Sequence, residues 1–149
     1  MRAAIFHEYG GPEVVHVGEM PDPEPAPGEV RIAVRASAMN HLDLWVRRGL
    51  PVETTMPHIG GADIAGVVEA IGAGVPAELS GLRVVVDPSL DYDTFDGTSR
   101  GPGFPSRSLR LIGEHTDGGF AQYACVPAAN LLQVPDGVAW GDAAAAALV

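Results

Sequence analysis

The chain contains 149 residues, enough for one domain that buries a hydrophobic core without a disulfide or metal staple. Its formal net charge is −10, from 19 acidic residues against nine arginines and no lysine, so electrostatic repulsion argues against nucleic acids and anionic membranes as partners. Nineteen glycines and thirteen prolines predict many turns between short elements, which favours a β-rich barrel or sandwich.

Cys125 is the only cysteine, so the chain alone forms neither an internal disulfide nor a cysteine-rich zinc site. Its apolar neighbours Ala124 and Val126 predict a buried, unreactive thiol. No stretch has the pattern of a signal peptide or the length of a membrane span. A cytoplasmic protein is therefore expected.

Strands are predicted wherever apolar and β-branched residues alternate or cluster between turn residues. In chain order they cover residues 1–6, 14–17, 30–36, 64–71, 82–86, 120–126 and 131–134. Alternating prolines in residues 20–28 forbid ladder hydrogen bonds and favour an extended surface connector, with a proline-rich ligand for another domain as the alternative.

Two helices are predicted. Leu42, Trp45 and Val46 lie three and four residues apart, which indicates a short helix over residues 40–48 that ends at Gly49. A second helix begins near Asp142, which can cap an alanine run.

Periodicity fades over residues 87–119, and this length indicates a specialised lobe.

The C-terminal residue, Val149, falls inside the second helix with no glycine or proline stop signal, which predicts a domain truncated before its natural end. No glycine-rich turn follows a strand and opens a helix anywhere in the sequence. Dinucleotide binding is therefore not assigned to this segment by motif.

Five ordered motifs resemble the N-terminal GroES-like domain of medium-chain dehydrogenases and quinone oxidoreductases. They are Pro27-Gly28-Glu29-Val30, Asn40-His41-Leu42-Asp43 with Arg47 and Gly49, the run from Gly61 to Val68, the run from Asp117 to Tyr123, and the run from Ala143 to Ala147. The resemblance covers residues 1–149 and implies a mainly β, distorted β-barrel with short helices. It also implies an NAD(P)-binding Rossmann domain after residue 149, with the active site in the cleft between the two domains.

The resemblance also predicts that no catalytic zinc binds. Zinc-dependent members begin the second motif with a cysteine and carry a Gly-His-Glu triplet in the third. Here Asn40 stands in the cysteine position and Gly61, Ala62 and Asp63 replace the triplet. Zinc requires nitrogen, sulfur or carboxylate ligands, and only Asp63 could supply one.

We likewise expect no structural zinc site. Relatives hold it in the long lobe with four cysteines, and in register after Pro88 those positions carry other residues. They are Tyr92, Phe95, Thr98 and Ser106. None of them supplies a thiolate, so this site cannot form, and contacts from Tyr92 and Phe95 are expected to support the lobe instead.

Asn40, Asp43 and Asp63 are the candidate catalytic residues. Asn-x-x-Asp at a helix start is also a variant capping box, so Asn40 could cap the helix, bind substrate or nicotinamide ribose, or do both. Asp63 begins an apolar strand, where an unpaired carboxylate is costly, so it needs either a structural partner or a role in the cleft.

His41 and Arg47 are the candidate cofactor-binding residues, because relatives place basic residues at these positions of the helix. The alternatives are an exposed first-turn histidine and a solvated arginine. Leu42 occupies the position of a proton-relaying serine or threonine and cannot relay a proton. The remaining histidines are expected to be ordinary surface or strand residues: His7, His16, His58 and His115.

Together these features predict the substrate-side domain of an NAD(P)H-dependent, zinc-independent oxidoreductase. Its full-length form is expected to be a homo-oligomer that transfers a hydride to or from a small carbonyl or activated alkene, such as a quinone or enone. Two alternatives stay open: a zinc alcohol dehydrogenase with relocated ligands, and a non-enzymatic GroES-like binding module. On its own, the domain is expected to be inactive.

Overall fold

The computed structural model describes residues 1–51, 54–90 and 110–148, and these form a mainly β domain, as predicted. Three antiparallel sheets have the strand orders β2-β1-β4, β10-β6-β5-β3-β9 and β7-β8. The strands are β1 (Arg2–Phe6), β2 (His16–Glu19), β3 (Glu29–Ala38), β4 (His58–Ile59), β5 (Asp63–Ile71), β6 (Arg83–Val86), β7 (Ser89–Leu90), β8 (Arg110–Leu111), β9 (Tyr123–Pro127) and β10 (Leu131–Gln133). The helices are α1 (His41–Arg48) and α2 (Trp140–Ala145).

The five-stranded sheet supplies the main core. Residues of β3 and β5 alternate between the two faces, so that Val30, Ile32, Ile64 and Val68 are fully buried against Val84 of β6. This period-two burial follows from strand geometry. The same pairing sets Ala38 opposite Asp63, and it thereby brings the start of β5 next to the chain that enters α1.

The segment just before β9 joins this sheet to the three-stranded one. The Ala4 N–H donates to the Phe120 carbonyl at 2.8 Å, and the Gln122 carbonyl accepts from Val34 N–H at 2.9 Å. Backbone bonds to both sheets from one short segment close the arrangement into a barrel-like shape. The edges of both sheets are thereby covered along this segment.

Helix α2 starts earlier than predicted. Its N-cap is Ala139, and Asp142 lies exposed in the first turn, so the prediction that Asp142 caps this helix is wrong. The reason is a tertiary anchor: the Arg83 guanidinium lies 4.2 Å above the Trp140 ring, and its Nη2 donates to the Val138 carbonyl. This cation–π contact fixes the chain at the helix start.

Other differences are local. Residues 12–14 form a 3-10 turn in which Pro12 fixes φ at the first position, so the strand predicted from residue 14 begins at His16. Cys125 was expected to be buried but is half-buried, since it lies on β9 opposite Arg31. Strands β7 and β8 pair at the base of the long lobe, and the lobe's residues 91–109 lie outside the described residues.

Candidate functional site

Asn40 caps helix α1, as the Asn-x-x-Asp pattern predicted. Its Oδ1 accepts a hydrogen bond from Leu42 N–H, and the Asp43 carboxylate accepts from Asn40 N–H at 2.7 Å, which completes a capping box. Its other side-chain atom is also engaged: Asn40 Nδ2 donates to the Leu148 carbonyl at 2.8 Å. Capping and a tertiary contact therefore coexist in one half-buried side chain.

Asp43 uses both carboxylate oxygens on backbone groups. Oδ2 accepts from Asn40 N–H, and Oδ1 accepts from Gly61 N–H at 2.9 Å. Burial raises the pKa of this carboxyl, while the two backbone hydrogen bonds act in the opposite direction by favouring the charged form. The carboxylate thus links the start of α1 to the turn that precedes β5.

Asp63 is 2% exposed and is the first residue of β5. The Leu148 N–H and the Asn40 amide lie near its carboxylate and favour the charged form. Its Oδ1 is buried and has no hydrogen-bond partner among the described residues. Burial raises the pKa of Asp63, and repulsion from Asp43 adds to the rise.

The Leu148 peptide group connects the two side chains. Its carbonyl accepts from Asn40 at 2.8 Å and its N–H lies near Asp63, so that the chain after α2 closes over the start of β5. The structure therefore brings Asn40, Asp43 and Asp63 together at one end of the β3–β5 pair. Leu148 itself was not anticipated from the sequence, since only a main-chain group of this residue takes part.

Two glycine pairs shape the turn beneath this cluster. The Gly119 N–H donates to the Gly61 carbonyl at 2.7 Å, and the Phe120 N–H donates to the Gly60 carbonyl at 3.0 Å. Gly61 has φ +99°, and a β-carbon there would meet the Phe120 backbone nitrogen. The close approach requires glycine.

An apolar cavity of about 340 Å³ opens beside Asp43. Arg47 is half-buried in its wall, and its Nε has no hydrogen-bond partner among the described residues. The other residues that line the cavity are apolar side chains from β1, α1 and the neighbouring loops, together with one glycine: Ala4, Phe6, Pro12, Val15, Met39, Leu44, Val46, Gly60 and Phe120.

His41 lies on another face of α1. It is exposed, and its ring centroid is 6.1 Å from that of Trp45, which is 53% exposed. Residues 41 and 47 are about 120° apart around a helix axis. The structure therefore does not bring His41 and Arg47, the two predicted cofactor residues, onto one face.

The donor set around Asn40 does not match a zinc site. Ala62 is completely buried and packs with Phe6, Leu42 and Val46. Within residues 1–51, 54–90 and 110–148 no three His, Cys, Asp or Glu side chains are grouped as metal ligands. The four predicted substitutions of the structural zinc ligands lie outside the described residues: Tyr92, Phe95, Thr98 and Ser106.

The other histidines take no part in the cluster. His58 belongs to β4, as expected of a strand histidine, but is buried with its Nε2 3.0 Å from the Gly113 carbonyl. His7 and His16 stack on each other at the surface of the β1–β2 hairpin.

None of the helices in the described ranges is long and apolar enough to cross a membrane.

Comparison with known proteins identifies the domain. Residues 26–136 match the model of the alcohol dehydrogenase GroES-like domain. The chain belongs to this family. The GroES-like domain is the one that the five sequence motifs predicted, within the medium-chain dehydrogenase/reductase superfamily, and its β-rich fold agrees with the sheets described above.

Curated relatives of this GroES-like domain include starvation-sensing protein RspB of Escherichia coli, which is 34% identical over 86% of this chain and 38% of its own length. Crotonyl-CoA reductase of Streptomyces avermitilis is 34% identical over 91% of this chain and 34% of its own length. Alcohol dehydrogenases and quinone oxidoreductases are also among the relatives. The chain thus spans roughly 40% of the first relatives' length.

Solved structures agree with the fold. An NAD-dependent alcohol dehydrogenase superposes with a TM-score of 0.82 at 39% identity, covering 97% of this chain and 43% of that one. A cobalt- and zinc-bound alcohol dehydrogenase from Pyrobaculum aerophilum superposes at 0.81 with 36% identity, covering 99% of this chain and 44% of that one. The kinship is therefore with oxidoreductases, one of which was solved with cobalt and zinc bound.

Proposed function

We propose that this chain is the substrate-side domain of an NAD(P)H-dependent, zinc-independent oxidoreductase that reduces small carbonyl compounds or activated alkenes, with quinones and enones as the preferred substrates. The observation that carries the proposal is the polar cluster in which Asn40 donates to the Leu148 carbonyl beside the buried Asp63. It occupies the place where zinc-dependent relatives carry metal ligands.

Zinc does not fit this cluster. The Asn40 side-chain nitrogen donates to the Leu148 carbonyl and is therefore not a metal ligand. The buried Ala62 has no ligand atom. Asp43 already accepts two backbone hydrogen bonds. Asp63 alone retains an unpaired oxygen, whereas catalytic zinc sites use three protein ligands.

Asp63 is the residue that we assign to proton chemistry. Reduction of a carbonyl or enone adds a hydride to carbon and a proton to oxygen or to the α-carbon. Burial raises the pKa of Asp63, so this carboxyl group keeps its proton to a higher pH than an exposed aspartate does. Its unpaired Oδ1 has the capacity for one further hydrogen bond.

NAD(P)H supplies the hydride when it is bound, and most of its contacts belong to a second domain that we place after residue 149. From the present chain, the exposed imidazole of His41 and the exposed indole of Trp45 on α1 offer ring surfaces to it. We assign Arg47 to the substrate side instead, because it lines the apolar cavity.

The test uses the whole polypeptide, with its cofactor-binding domain. NADH and NADPH oxidation is followed with 1,4-benzoquinone, cyclohexenone and acetaldehyde, and metal content is measured by mass spectrometry. We expect turnover of the quinone or enone that survives 1,10-phenanthroline. Stoichiometric zinc, with activity lost on chelation, would contradict the proposal and favour the relocated-ligand alcohol dehydrogenase, in which the free Asp63 oxygen contributes a ligand.

A further inference from the structure

Asp43 occupies an unusual position for a residue at a helix start. It lies at the third position of α1, where acidic side chains normally return only to the N-cap N–H. Here the second oxygen also accepts from Gly61, 18 residues further along the chain. One carboxylate therefore performs a local cap and a long-range cross-link at once.

The two groups joined by this carboxylate are the chain neighbours of the cluster. Asn40 is bound through its own N–H at 2.7 Å, and Gly61 stands two residues before Asp63. Hydrogen bonds from N–H groups to an ionised carboxylate are roughly twice as strong as neutral ones. Their joint effect is to fix the separation between the start of α1 and the start of β5.

We propose that Asp43 is a positioning residue that holds Asn40 beside Asp63 by tying the start of α1 to the Gly60-Gly61 turn. This rests on the proposed function for its catalytic meaning, but the tie itself is a property of the domain. Each Asp43 oxygen already accepts from a backbone N–H, so the fold holds the carboxylate through both oxygens. It therefore acts through its neighbours.

Two variants separate the tie from the helix cap. In D43N one oxygen becomes an amide that donates, so only one of the two N–H groups keeps an acceptor. In D43E the carboxylate lies about 1.5 Å farther from the backbone, yet glutamate is the usual capping-box partner at this position. Gly60 and Gly61 are buried, so the turn cannot recede to accommodate it. D142N is the control, because Asp142 is an exposed first-turn acid of α2.

The first measurement is amide hydrogen exchange of Gly61 and Asn40 in the 149-residue chain. In D43E we expect exchange of Gly61 to accelerate at least tenfold with Asn40 still protected; in D43N we expect one of the two amides to accelerate, and in D142N both stay protected. Protection of Gly61 that is unchanged in D43E, or of both amides in D43N, would overturn the tie.

The second measurement is turnover by the whole polypeptide. Misplacement by about 1 Å can cost 10²-fold in rate, so we expect kcat of D43E to fall roughly ten- to a hundredfold while KM for the cofactor stays the same. A D43E variant with normal kcat and lost Gly61 protection would refute the positioning role. If even the unmodified protein reduces no carbonyl or enone, the proposed function fails, whereas the exchange result still decides the tie.

Discussion

Replacement of Asp63 by asparagine should stabilise the domain at neutral pH. Asp63 is 2% exposed, its Oδ1 has no partner among the described residues, and Asp43 repels it. Asparagine has nearly the same shape and keeps one oxygen that can accept from Leu148 N–H. The substitution therefore removes a buried negative charge while it preserves most of the packing.

The expected size follows from the cost of an unsatisfied buried group. Such a group destabilises a fold by about 1–3 kcal/mol, and more when it is charged. The amide of D63N is itself incompletely paired, so we expect a net gain of about 1–2 kcal/mol rather than the full amount. For a chain of this size, this corresponds to a rise in Tm of about 2–8 °C.

The gain should depend on pH with a definite sign. An aspartate in the unfolded chain titrates near pH 3.9, and burial raises the pKa of Asp63 above that value in the folded chain. Between the two pKa values the folded state binds more protons, so the free energy of unfolding falls as pH rises through this window. The advantage of D63N should therefore be small near pH 3.5 and should increase toward pH 7.

Urea unfolding of the 149-residue chain at these two pH values, followed by circular dichroism, measures the difference directly. D142N serves as the matched control, because Asp142 is exposed and its loss should change stability by no more than about 0.5 kcal/mol. A D63N variant that is less stable than the original at pH 7, or whose advantage is the same at both pH values, would refute the reasoning.

Two further predictions concern packing and reactivity. G118A should lower stability by about 1–3 kcal/mol in thermal unfolding, because a β-carbon there would overlap the Gly60 and Gly61 carbonyls. The control G141A, where a β-carbon meets open space, should be neutral or stabilise α2, and equal Tm values for the two variants would contradict this. Burial raises the pKa of Cys125 to about 11, so its alkylation by iodoacetamide at pH 8 should be roughly a hundredfold slower than that of an ordinary cysteine and should still accelerate above pH 10; a plateau below pH 9 would show a more acidic thiol.

Local chemistry accounts for what the sequence could predict of this site. Asn40 and Asp43 stand three residues apart before an apolar helical stripe, and this spacing alone predicted the capping box that the structure contains. Burial of Asp63 followed from the apolar strand that it begins. Each of these interpretations needed only residues within one element.

Long-range contacts account for what it could not predict. The Gly61–Asp43 and Gly61–Gly119 hydrogen bonds join residues 18 and 58 positions apart, and a backbone donor carries no signature in the side-chain pattern. The start of α2 was placed wrongly for the same reason, since the anchor of Trp140 under Arg83 overrides the local capping preference of Asp142.

The candidate site therefore depends on an element that contributes no side chain to it. The Leu148 carbonyl accepts a hydrogen bond from Asn40, and the Leu148 N–H lies near Asp63. The chain reaches this peptide through α2, and the contact between Arg83 and Trp140 holds the start of α2. Because β6 carries Arg83, the position of that peptide is set from the opposite side of β5. The polar cluster is thus held at three points, by the N-cap of α1, by the Gly60-Gly61 turn and by the end of α2.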